Sequence, residues 1–164
     1  MKKIILYILT IIFITGCGTT VFKEKNETDA LKFKEEYESV STKDSININN
    51  NIVYLNEEEV TKLLDEGTGI MLFASPNDID SVNVMPSLIE VTNTISMNVY
   101  YYNIDNGLNN QNLNTLKDYA NNNIVNTPLI LFVKKGKIVD DINGYDNNNE
   151  VFKNQILNKY LKLT

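Results

Sequence analysis

The apolar positions of this chain change period several times, and each change marks an element. Residues 4–14 are apolar except for Thr10. Residues 18–28 are polar and aperiodic, which predicts a tether. Residues 30–40 carry Leu31, Phe33, Tyr37 and Val40 at partial helical spacing, and the Asn-rich stretch 42–51 reads as a loop. A short apolar strand is predicted at 52–55. Asn56 followed by Glu57, Glu58 and Glu59 is a helix start, a cap residue and then acids in the first turn. Val60, Leu63 and Leu64 form the buried face of that helix, and Glu66-Gly67 ends it.

Four consecutive apolar residues at 70–73 predict a strand covered on both faces. Helical spacing returns over 81–96, with Met85, Leu88, Ile89, Thr92 and Ile95 on one side and Pro86 inside. A Tyr-rich strand is predicted at 99–104 and a helix at 113–120, broken by Asn121, Asn122 and Asn123. Strand formers at 129–133 and 137–142 flank Lys134-Lys135-Gly136, a hairpin signature. Gly144 closes the second strand. Residues 150–161 form a last helix with Phe152, Ile156 and Tyr160 together. The order β-α-β-α-β-α-β-β-α predicts an α/β domain with a mixed central sheet flanked by helices.

The first apolar run is too short for the ~20 residues of a bilayer-spanning helix, and Lys2 and Lys3 precede it. It has the build of a signal peptide. The run ends in Ile14-Thr15-Gly16-Cys17, which resembles a bacterial lipobox, aliphatic-small-Gly-Cys. That resemblance implies cleavage before Cys17 and a diacylglyceryl group on its thiol. The division expected is 1–16 lipoprotein signal peptide, 17–50 lipidated Cys17 with a polar tether and a short helical segment, and 51–164 the folded domain. An unlipidated signal peptide or a short anchor with an incidental Cys are the other readings of the same residues. Lipidation would place the domain on the extracytoplasmic face of the cell membrane, held by the acyl chains.

Composition removes several chemistries. The chain has net charge −6, no arginine and no histidine. An acidic surface without arginine is a poor match to nucleic acid, whose binding rests on cationic contacts to phosphate. Zinc sites built from His and Cys, and His-activated nucleophiles, lack their residues. Cys17 is the sole cysteine, and lipidation would consume it. Asp78 and Asp80, with Asn77, resemble calcium ligands only in part, because the run lacks the Gly and the closing Glu of a calcium loop. They read as solvated carboxylates. Asp105-Asn106-Gly107 and residues 146–150 read as turns and a helix cap. No cofactor or metal is expected beyond the lipid.

From residue 52 to 161 the chain resembles the thioredoxin-like superfamily in its extracytoplasmic, low-GC bacterial form. The residues that carry the resemblance are the strand Ile70-Met71-Leu72-Phe73, the turn from Ala74 to Ser81, and the helix proline Pro86. Thr127-Pro128-Leu129-Ile130-Leu131-Phe132 and Lys135-Gly136-Lys137 complete it. In that family a proline follows the second active-site cysteine by five residues. Counting back from Pro86 puts the two cysteine positions at Asp78 and Ser81, within Phe73-Ala74-Ser75-Pro76-Asn77-Asp78-Ile79-Asp80-Ser81.

Asp78 and Ser81 supply neither the low-pKa thiolate nor the resolving thiol of that family. Leu72 stands where the family often keeps a buried acid. An Asp78 oxygen would instead suit capping of the helix that follows. What the resemblance leaves is a peptide-docking ledge at Thr127-Pro128, cis in the family, beside Asp78. Retention of Pro128 for the bend alone is the plainer alternative. The expectation is therefore a redox-inactive, thioredoxin-like lipoprotein, a protein- or peptide-binding or adaptor module of the cell envelope. Its candidate binding residues are Asp78, Ser81, Thr127 and Pro128, with no catalytic residue. Its partners would be the membrane, through the lipid, and an extended polypeptide or envelope protein. Two alternatives stand beside it: a thiol-disulfide oxidoreductase homologue, and an accessory to bacteriocin transport or immunity.

Overall fold

A computed structural model of the protein describes residues 22–39, 50–122 and 124–164. The expected signal peptide, Cys17, Val40 and most of the Asn-rich loop lie outside the described residues. So does Asn123.

The first described element is helix α1, Glu27–Glu38, capped by Asn26, whose side chain accepts from the Asp29 N–H at 2.7 Å. Ala30, Phe33 and Tyr37 are its buried residues, whereas Leu31, placed on the apolar face by spacing, is exposed. Strand β1, Ile52–Tyr54, follows, then helix α2, Glu57–Glu66. Asn56 and Glu59 close a reciprocal capping box at the start of α2, as the run of acids behind a cap residue predicts. Strand β2, Gly69–Ala74, is buried throughout. Helix α3, Ile79–Thr94, begins two residues earlier than spacing predicts and runs through Pro86 without ending there. Strand β3 is Val99–Asn103.

The segment expected as a helix over 113–120 is built differently. Helix α4 spans Asn110–Thr115, and a turn of 3-10 helix, Lys117–Tyr119, follows it. Asn109 sets the early start by accepting from the Asn112 N–H at 2.8 Å. Asn112 is buried and ties α4 to α2, accepting from Thr61 Oγ1 at 3.1 Å and donating to the Glu57 carbonyl. A buried asparagine in that role leaves no apolar periodicity to read. Ala120–Asn121 (β4) and Ile124–Val125 (β5) then pair antiparallel, so Asn121 and Asn122, expected to break a helix, lie at the end of a two-stranded ribbon.

Strands β6, Leu129–Lys134, and β7, Lys137–Asn143, form the predicted hairpin, and α5, Asn149–Tyr160, closes the fold. The main sheet has the order β1-β3-β2-β6-β7. β1, β3 and β2 are parallel, and β6 and β7 run antiparallel to their neighbours. Phe132 pairs with Asp140 and Val133 with Ile138, which leaves Val139 as a bulge.

Two apolar layers cover the sheet. One joins Phe33 and Tyr37 of α1 to Ile70, Leu72, Tyr101 and Phe132, with Leu88 of α3 and Ile156 of α5. The other joins Leu63 of α2 to Met71, Phe73, Tyr100 and Leu131. Alternate residues of β2 therefore enter opposite layers, as a period of two requires. The first layer draws on both sides of the 50/51 division expected from sequence.

Candidate functional site

The chemistry of interest gathers at the carboxyl ends of the parallel strands, where open α/β sheets place their ligands. The backbone leaves β2 at Ala74 and turns through residues 75–78 into α3. Asp78 has an extended backbone and caps that helix: its Oδ2 accepts from the Ser81 N–H at 2.9 Å. The same oxygen accepts from the Ser81 hydroxyl at 2.6 Å and from the Thr127 hydroxyl at 3.1 Å. One carboxylate oxygen thus joins the amino end of α3 to the loop before β6. Three of the four residues singled out from sequence are directly hydrogen-bonded, and the fourth, Pro128, is buried behind a cis Thr127–Pro128 peptide.

Ser81 is fully buried. Its hydroxyl oxygen also accepts from the Ser75 N–H at 3.3 Å, so both of its hydrogen-bonding capacities are used. From Ser75 the polar chain continues across the sheet. The Ser75 hydroxyl donates to Asp105 Oδ2 at 2.7 Å, and Asn77 Nδ2 donates to the same oxygen at 2.9 Å. The Asp105 N–H donates to Asn103 Oδ1 at 3.0 Å, and Asn103 Nδ2 donates to Glu36 of α1. The Tyr54 hydroxyl donates to the other oxygen of Glu36. Ser75 and Glu36 were not singled out from sequence, Asn77 was weighed only as a calcium ligand, and Asp105 only as part of a turn. The available signal was position: Ser75 and Asp105 follow the carboxyl ends of two predicted parallel strands. Asp105 reads as an ordinary turn residue on its own, and it does lie in a 3-10 turn, Ile104–Asn106, capped by Asn103 and closed by Gly107 at φ +79°.

Around this polar core the surface carries two large apolar side chains. Ile79, next to Asp78, and Ile124, three residues before Thr127, are about 70% exposed. Beneath it lies a cluster of Phe33, Tyr37, Tyr54 and Tyr101, with Tyr54 and Tyr101 edge to face at 4.8 Å. Burial pushes the hydroxyls of Tyr37, Tyr54 and Tyr101 far above the ordinary tyrosine range, and the Glu36 charge adds to it.

Among the described residues, no group of three or more Asp, Glu, His or Cys side chains is arranged to hold a metal ion. Among the same residues no helix is long and apolar enough to cross a membrane. The arrangement is one of satisfied hydrogen bonds around a carboxylate and a hydroxyl, on a face flanked by exposed isoleucines.

No protein-family model and no curated protein sequence matches the chain. Solved structures do. Thioredoxin NaTrxh from Nicotiana alata is 11% identical over 71% of this chain and 98% of its own, with a TM-score of 0.50. Thioredoxin from Trypanosoma brucei brucei is 13% identical over 68% of this chain and 91% of its own, also at 0.50. Thioredoxin O2 from Arabidopsis thaliana, in its oxidized state, is 20% identical over 66% and 94%, at 0.49. At such identities the likeness is one of architecture: the chain has a thioredoxin-like α/β fold, a mixed central sheet flanked by helices.

Proposed function

We propose that this protein is a membrane-tethered binding module that uses a thioredoxin-like fold without thiol-disulfide exchange. In this reading Cys17 carries the lipid, the domain stands on the extracytoplasmic face of the cell membrane, and the ligand is an extended segment of another polypeptide. Exchange of a disulfide through a mixed-disulfide intermediate needs an attacking thiolate and a resolving thiol, and Cys17 is the single cysteine of the chain. The observation that carries the reading is the Asp78 carboxylate, which accepts from Ser81 and Thr127 together. A charged acceptor occupies the amino end of the helix where redox chemistry of this kind would want a thiolate. The same contact holds the loop of Thr127 and Pro128 against α3. Such a ledge of main chain, flanked by Ile79 and Ile124, suits strand-like pairing with a peptide.

Two measurements on the full chain in detergent micelles test this. Titration with an unfolded, cysteine-free polypeptide should shift the amides of residues 78–81, 124–127 and 129. A well-dispersed spectrum with silence there overturns the docking reading. Reduction of insulin by dithiothreitol should run at the same rate with the protein, with its Cys17→Ser variant and with neither. A turnover that Cys17→Ser abolishes establishes the oxidoreductase alternative instead. The lipid is read by detergent-phase partition, which the wild-type protein expressed in a bacterial host should show and Cys17→Ser should lose.

A further inference from the structure

A cleft of about 540 Å³ lies beside the Thr127–Pro128 bend, within the ~300–1,000 Å³ usual for ligand pockets. Asp80, in the first turn of α3, forms one wall. Tyr145 and Asp146, from the turn after β7, form another, and Phe152, Gln155 and Lys159 of α5 complete it. Gly144, also at its edge, donates its N–H to the Pro128 carbonyl at 2.9 Å. The wall of the cleft and the bend are one hydrogen bond apart.

Tyr145, backed by the buried Phe152, gives the cleft one aromatic wall, and carboxylates stand around its edge. Tyr145 meets Phe152 edge to face, with centroids 5.7 Å apart, and the Tyr145 hydroxyl donates to Asn149, which fixes the ring. Burial pushes that hydroxyl above the ordinary tyrosine range, and the charges of Asp146 and Asp80 add to the rise. Both carboxylates therefore bear on the ring. The nearby cations are engaged elsewhere. Lys159 pairs with Asp140 at 2.5 Å, Lys162 pairs with the same carboxylate, and Lys153 pairs with Glu90 at 2.7 Å. Asp141 also borders the cleft, but its carboxylate accepts from the Tyr119 hydroxyl at 3.4 Å. Among the described residues no lysine forms an ion pair with Asp80 or Asp146.

We infer that this cleft receives the side chain of a lysine or arginine from the extended polypeptide that lies on the Thr127–Pro128 ledge, an inference that rests on the docking function proposed above. The apolar stem of such a side chain packs on the Tyr145 ring, and its cationic head meets Asp80 and Asp146. A bare metal ion does not fit as well, because among the described residues no three acidic side chains are grouped to hold one. The net charge of −6 acts in the same direction, drawing basic segments toward the surface.

The test uses the full chain in micelles and a set of short neutral peptides. A single lysine is moved along an otherwise fixed sequence, and the lysine-free parent serves as reference. One lysine position should bind about tenfold more tightly than the parent, the combined scale of an ion pair and a cation–π contact. That peptide should shift the amides of Asp80, Tyr145 and Asp146 as well as Thr127. The Asp80→Asn/Asp146→Asn double variant should lose most of the preference while its affinity for the parent stays unchanged. Equal affinity for every peptide, with the Thr127 amide still shifting, overturns the cationic cleft and leaves the docking function standing. A lysine preference that survives the double variant also overturns it. Silence at Thr127 with every peptide overturns both.

Discussion

Replacing Asp78 with alanine removes the carboxylate whose Oδ2 accepts all three bonds and strands three donors, which makes its cost calculable from parts. Loss of the cap on the Ser81 N–H costs about 1 kcal/mol. The Ser81 hydroxyl is fully buried, and a buried donor left without its partner costs about 1–3 kcal/mol. Thr127 is half-buried, and its bond, at 3.1 Å, adds about 0.5–1 kcal/mol. Asp78→Ala should therefore destabilise by about 3 kcal/mol, a shift of roughly 1–2 M in urea midpoint for a domain of this size. Asparagine caps as well as aspartate, so Asp78→Asn should cost less than about 1 kcal/mol. Thr127→Val should cost about 1 kcal/mol, and its cycle with Asp78→Ala should show coupling of about 0.5–1 kcal/mol. Equilibrium urea unfolding followed by far-UV circular dichroism measures all four proteins. If Asp78→Ala falls within about 0.5 kcal/mol of wild type, the range of an ordinary surface change, the carboxylate is not organising this site and the argument built on it fails.

Three further perturbations test the frame around the site. Hydrogen bonds from Lys159 and Lys162 hold the Asp140 carboxyl well below the usual carboxylate range. A depressed folded pKa gives stability that is present above the unfolded value of about 3.9 and lost as pH falls through the folded one. Asp140→Asn should thus cost about 1–2 kcal/mol at neutral pH, chiefly through the less exposed Lys159, and the gap to wild type should close below pH ~4. Tyr37, Tyr54 and Tyr101 act in the opposite range, because burial raises all three. The unfolded chain releases these protons near pH 10 while the native chain keeps them, so stability should fall above that pH by up to ~4 kcal/mol per unit. Urea midpoints across the alkaline range report it, and a flat profile refutes it. Gly136 adopts φ +71°, and a Cβ there would lie 1.9 Å from the Asp65 carbonyl oxygen, whereas at Gly107, with φ +79°, it would meet nothing. Thermal unfolding should show Gly136→Ala costing upward of ~3 kcal/mol and Gly107→Ala only ~1.

The elements that sequence reveals well are those whose burial follows one period. The fully buried β2 and the core of β6 appear as apolar runs, the hairpin shows itself through Lys135-Gly136, and α2 through Asn56 and Glu59. The α4 region does not, because Asn112 does in its interior what a leucine does elsewhere, making contact with α2 through hydrogen bonds. β4 and β5 are each two residues long, too short to carry a pattern. In the site, Asp78 and Ser81 were legible by their distance from Pro86. Their partner Ser75 was not, since a serine after a strand has many local uses, and its bond to Asp105 spans 30 positions.

That long-range bond bears on the docking function proposed above. A site retained only for its bend would require Pro128 and little else. Here the carboxyl ends of β1, β3 and β2 are joined in one run of hydrogen bonds, from Tyr54 through Glu36, Asn103, Asp105 and Ser75 to Ser81 and Asp78. The run ends on the Thr127 hydroxyl. Where such a network is buried, as at Ser75 and Ser81, it fixes geometry at the risk of a large penalty if one member is lost. A surface held in that way presents its ledge already ordered, so a docking peptide bears less of the ordering cost than it would on a mobile loop. The network therefore argues for preorganised recognition, and the Asp78→Ala variant supplies the contrast: its peptide affinity should fall even in buffer where the domain remains fully folded. An unchanged affinity at full folding would mean that the ledge is shaped by Pro128 alone.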